Sequence, residues 1–141
     1  MTRYLVDNSA WARLGSSAIP MERRLGLVEA TEDRRMWVSS MLCLEAGYSA
    51  RNADAYLTQR ADLARYPEAV TASVDHDRAL DLQTQLALVG HHRVPPADLL
   101  TVAVAERHGL TVLHYDKDFD VIRERTDCLA ETEWLVPRGS L

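Results

Sequence analysis

Leu110-Thr111-Val112-Leu113-His114-Tyr115 is the clearest strand-forming run in the chain, and Asp116 ends it. Gly109, just before it, is the expected stop of a helix over Ala97–His108, which Pro95-Pro96 introduces. A further helix is predicted from Asp118 to Arg125. The N-terminus follows the same grammar. Arg3-Tyr4-Leu5-Val6 reads as a strand ending at Asp7, and Asp7-Asn8-Ser9 supplies the cap of a short helix through Trp11 and Leu14. Between these ends, Pro20 opens a helix carrying Met21, Leu25, Leu27 and Val28, and Met36-Trp37-Val38 reads as a second short strand. Ser39 or Ser40 caps a helix from Met41 towards Ala50, and another runs from Ala53 to Tyr66, stopped by Pro67. Val70–Val74 is a minor strand or a linker, Asp75 caps a helix over His76–Val89, and Thr132–Val136 is a last edge strand. Strands alternating with helices predict an α/β sandwich around a mainly parallel sheet.

The 141 residues suit one domain, expected over 1–141. With 47% hydrophobic and 26% charged residues, the chain reads as an ordinary folded protein rather than a disordered one. No apolar run approaches the roughly 20 residues of a membrane span, and no signal peptide is expected at the N-terminus. Cys43 and Cys128 lack metal-ligand spacing, so a reduced, cytoplasmic protein is expected. Leu135-Val136-Pro137-Arg138-Gly139-Ser140 matches a thrombin recognition sequence. Residues 136–141 are therefore either an expression remnant or a native tail, and carry no functional weight.

Ligands of open parallel sheets bind beyond the carboxyl ends of the strands, where Asp7 and Asp116 stand. Each also precedes a helix, so capping alone would account for either one. Asp98 lies in the first turn of a helix whose next seven residues include six apolar ones, where the helix dipole favours a carboxylate, yet no basic residue follows within four positions. Glu45 is the only charge in Met41-Leu42-Cys43-Leu44-Glu45-Ala46-Gly47, where snorkelling to solvent is the plain alternative. Four converging carboxylates would repel one another unless a hard cation neutralised them, and such a ligand set suits Mg²⁺ or Mn²⁺.

Four blocks carry a resemblance. Tyr4-Leu5-Val6-Asp7-Asn8-Ser9-Ala10-Trp11, Leu44-Glu45-Ala46-Gly47-Tyr48-Ser49-Ala50-Arg51, Pro96-Ala97-Asp98-Leu99-Leu100-Thr101-Val102-Ala103 and Val112-Leu113-His114-Tyr115-Asp116-Lys117-Asp118-Phe119-Asp120 resemble, in order, the successive blocks of a PIN domain. The similarity is closest to the VapC toxins of toxin–antitoxin pairs. It implies a three-layer α/β/α sandwich and Mg²⁺- or Mn²⁺-dependent endoribonuclease activity on RNA, with tRNA or rRNA as substrate classes. It also implies a homodimer, and inhibition by a VapB-like antitoxin. The family's acidic quartet falls on Asp7, Glu45, Asp98 and Asp116, its small hydroxyl residue on Ser9, and Asp118 is a possible further acid.

Two other classes stay open, a non-catalytic RNA- or protein-binding module and a metal-dependent phosphatase; Ser9, in place of a second acid, disfavours the phosphatase. An EF-hand reading of Asp116–Asp127 fails, because Val121 replaces the required glycine and Asp127 the terminal glutamate. His114 is expected to pack in the core, the tryptophans in the core or a dimer interface, and the Met21, Leu25, Val28 stripe in the core rather than on an antitoxin surface. Arg13, Arg23, Arg24 and Arg51 are candidate phosphate contacts through their nearness in sequence to Asp7 and Glu45. The net charge of −5 argues against nucleic acid only at first sight, since four of the negative charges are the candidate ligands. Residues 1–66 carry nine arginines against eight acids, and residues 67–141 seven basic residues against thirteen acids.

Overall fold

The computed structural model describes residues 1–141. Four strands, β1 (Tyr4–Val6), β2 (Met36–Trp37), β3 (Thr111–His114) and β4 (Thr132–Trp134), form one sheet in the order β2-β1-β3-β4. Every pairing is parallel, with Leu5 opposite Trp37 and Val112, and Val112 opposite Thr132. Because all strands run one way, β1 and β3 deliver Asp7 and Asp116 to the same rim of the sheet.

Seven helices cover both faces: α1 (Asn8–Trp11), α2 (Met21–Glu32), α3 (Ser40–Tyr48), α4 (Ala53–Leu63), α5 (Ser73–Leu88), α6 (Pro96–His108) and α7 (Asp118–Arg125). The two-residue period of the strands divides them into layers. Leu5 and Val112 point into a core with Leu82 and Leu86 of α5, Leu99, Val102 and Ala105 of α6, and Phe119 and Ile122 of α7. Tyr4, Val6 and Leu113 point the other way, against Ala10, Leu27, Ala30, Leu42, Ala46 and Leu63 of α1–α4. The result is the expected three-layer sandwich. Gly109 takes the left-handed conformation at φ 66°, turning the chain from α6 into β3, where a side chain would be strained.

Three expectations need correction, and one open alternative is decided. The Met21, Leu25, Val28 stripe is not core: these residues are 66%, 61% and 48% exposed, while Leu27 and Ala30 of the same helix face inward. Of the two readings of residues 70–74, the linker holds for 70–72, and the only pairing in this region is an isolated bridge between Val38 and Glu68. Helix α5 begins at Ser73, and Asp75 acts from inside its first turn by accepting the Ala72 amide at 2.9 Å. The last strand stops at Trp134 rather than Val136, and of the expected tail Val136 is buried beside Leu135 among Tyr4, Val6 and Leu27, with exposure beginning at Pro137.

Candidate metal centre

Asp7 leaves β1 and caps α1 at once. Its Oδ2 accepts both the Ser9 amide at 2.9 Å and the Ser9 hydroxyl at 2.6 Å. The same Ser9 Oγ accepts the Tyr115 amide at 2.9 Å, so one hydroxyl ties the exit of β1 to the exit of β3. In the β3 exit, the Asp116 amide donates to Nδ1 of His114 at 3.2 Å and the Asp118 amide to Oδ1 of Asp116 at 2.9 Å. Three amides of this short loop are thus held by side chains.

Asp98 reaches the rim from the first turn of α6, which Pro96 starts. It is buried, and its Oδ2 has no hydrogen-bond partner. One carboxylate oxygen from each of Asp98, Asp116 and Asp118 lies within 4.8 Å of the other two. Asp7 and Glu45 stand outside this tightest group but act on it through charge. Burial first, and then the charges of Asp7, Asp116, Asp118 and Glu45, push the Asp98 carboxyl up to about 8. Burial and the Asp116 charge also raise Asp7, although its bonds to Ser9 oppose the shift. Glu45 is raised by burial and then by Asp7, and Asp118 by burial and then by Asp116.

An unpaired buried carboxylate oxygen among like charges fits a divalent cation: all the donors are hard oxygens, and a cation would relieve both the desolvation and the repulsion. The site therefore brings together Asp98, Asp116 and Asp118 most closely, with Asp7 and Glu45 around them. Asp118 was the least expected of these. The signal for it lay in the Asp-x-Asp spacing, since a carboxylate readily accepts the amide two residues on.

The four arginines separate. Arg13 bonds the Ser9 carbonyl at 2.8 Å and lies 4.8 Å from the Tyr115 ring centroid, at the rim. Arg23 joins α2 to the last strand through Glu133 and the carbonyls of Trp134 and Leu135. Arg24 is bound to the carbonyls of Ser16 and Ile19. Arg51 is exposed after α3.

A PIN-domain family model matches residues 4–125. The chain is 36% identical over 141 residues to Ribonuclease VapC51 of Mycobacterium tuberculosis, covering 99% of this chain and 97% of the relative. It is 42% identical over 134 residues to Ribonuclease VapC2 of the same species, covering 88% and 87%. Among solved structures, it is similar to a chain of the DNA-bound VapBC complex of Salmonella typhimurium, at a TM-score of 0.72, 20% identity and coverage of 96% and 100%. A chain of VapBC2 from Rickettsia felis gives the same TM-score at 15% identity, covering 94% of this chain and 98% of the other.

Proposed function

The chain belongs to the PIN-domain family, in its VapC branch, and on that premise we propose that it is a Mg²⁺- or Mn²⁺-dependent endoribonuclease, the toxin of a toxin–antitoxin pair acting in the cytoplasm. The observation that carries this reading is the trio Asp98, Asp116 and Asp118, with oxygens within 4.8 Å of one another and the buried Oδ2 of Asp98 unpartnered. Asp98, Asp116 and Asp118 would hold the cation, with Asp7 and Glu45 completing the acidic wall. The bound cation supplies an acidified water and charge neutralisation at a phosphodiester.

The protein's own groups set the rest. Ser9 fixes the Asp7 carboxylate by two bonds to one oxygen, which leaves Oδ1 for the site. Arg13, at the rim over Tyr115, is placed to meet a phosphate, and Arg51 is free to do so. Arg23 and Arg24 are occupied by the fold and contribute less. The substrate is RNA, of the tRNA or rRNA class, cut to 5′-phosphate and 3′-hydroxyl ends. The exposed Met21, Leu25 and Val28 face of α2 offers a VapB-like antitoxin an apolar surface, and the protein works as a homodimer.

The test is incubation of purified protein with structured RNA and, separately, a phosphomonoester, in Mg²⁺, Mn²⁺ or chelator, beside Asp7→Asn and Asp98→Asn. RNA cleavage that needs the cation and both acids is expected. Equal cleavage by wild type and variants would place the chemistry elsewhere, and hydrolysis of the monoester alone would make the protein a phosphatase.

A further inference from the structure

His114 is fully buried at the end of β3, between the rings of Phe119 at 4.8 Å and Trp134 at 4.9 Å. Its Nε2 has no hydrogen-bond partner. By packing alone, histidine is a poor choice here, because an unpaired buried ring nitrogen costs stability that an apolar side chain would not. The other nitrogen supplies a reason. The Asp116 amide points at Nδ1 from 3.2 Å, and a backbone amide can only donate, so Nδ1 carries the lone pair and Nε2 the proton.

We infer that His114 is a positioning residue of the acidic centre: a histidine locked as the Nε2–H tautomer, whose Nδ1 accepts the Asp116 amide and so sets the direction of the Asp116 carboxylate. Three features hold the ring in place. The His114 carbonyl accepts the Leu135 amide at 2.7 Å, which pins the strand end. Trp134, packed against the imidazole at an inclination of 57°, is itself tied through Nε1 to both carboxylate oxygens of Asp120 at 3.2 Å. Tyr115, edge-on to Trp134 at 5.5 Å, has its amide on Ser9. Two successive peptides of the β3 exit are thereby held by their amides, that of Tyr115 on Ser9 and that of Asp116 on His114. Phenylalanine would keep an aromatic ring there, somewhat larger, and lose the acceptor; asparagine would keep an acceptor where Nδ1 stands and lose the ring contacts with Phe119 and Trp134.

This inference rests on the metal reading of the acids, and its test separates the two. NMR of the ¹⁵N-labelled, metal-free protein should show His114 with a protonated Nε2 and an unprotonated, hydrogen-bonded Nδ1; a protonated Nδ1 overturns the inference whatever the metal does. Mn²⁺ titration should show His114→Phe weakened by about 10-fold or more, as is usual when the group orienting a ligand is removed. His114→Asn should lie within about threefold of wild type, because it restores the acceptor. Equal Mn²⁺ affinity in wild type and folded His114→Phe contradicts the positioning role. Equal affinity in wild type and Asp98→Asn overturns the metal reading instead.

Discussion

Asp75 and Asp98 are the same residue type in the same setting, each buried in the first turn of one of two neighbouring helices. Their surroundings differ in one respect. Asp75 accepts the Arg107 guanidinium at 2.7 and 2.9 Å and the Ala72 amide at 2.9 Å. Burial pushes its carboxyl up, but those bonds and the Arg107 charge outweigh it and hold the group below its ordinary value. Asp98 has four acids around it, an oxygen with no partner, and a carboxyl pushed to about 8. One aspartate is paired within the fold; the other has an oxygen that the fold leaves without a partner. A helix start tolerates either, so the dipole does not distinguish them. The partner does.

The largest expected effect comes from breaking that difference at Asp98. Asp98→Asn should lower RNA cleavage by about 10³-fold, the scale seen when a central electrostatic group is removed. The metal-free variant should at the same time be more stable than wild type, by several degrees in Tm at pH 9, because it carries no buried charge. Calorimetry beside a cleavage assay checks both, and a less stable variant would mean that Asp98 has a partner in the fold.

Asp75→Asn should behave in the opposite way, with Tm lowered by about 2–5 °C and Mn²⁺ affinity unchanged, since it breaks a pair between a buried carboxylate and a solvent-exposed arginine that includes none of the acids at the rim. Thermal unfolding with and without Mn²⁺ separates these effects. A variant that lost metal binding without losing stability would remove the contrast.

The two acids also predict opposite responses to pH. Folded Asp98 keeps its proton to about 8 while the unfolded chain releases it near the ordinary 3.8, so this group's contribution to metal-free stability falls as pH rises across that interval and is flat above it. Asp75 has a lowered folded value. Its contribution is complete above the ordinary value and is lost as pH falls through the folded one. Unfolding of Asp98→Asn followed across pH 4–9 should lack the wild-type decline. The smallest effect is expected for Ser9→Ala, which frees Asp7 Oδ2 of one of its two bonds and should weaken Mn²⁺ by about 10-fold.

Much of this was legible in the residues. Period-two runs ending in aspartate placed Asp7 and Asp116 on one rim, and the glycine and proline punctuation located α6 and β3 closely. The exposed stripe of α2 was misread because Met21, Leu25 and Val28 have core-like spacing. Nothing local told that Leu27 and Ala30 were the inward face. The pairing of Asp75 with Arg107 spans 32 positions, so no sequence window could separate it from Asp98. The role of His114 was hidden for a related reason: burial is legible in a strand, but which ring nitrogen meets an amide depends on the loop that follows.

The most direct test is the Mn²⁺-induced shift in Tm, measured for wild type and Asp98→Asn at pH 6 and pH 8.5. A cation must displace the Asp98 proton, so the wild-type shift should grow with pH, and the variant should show little shift at either. Equal shifts in the two proteins, unchanged between the two pH values, would contradict a metal centre built on Asp98.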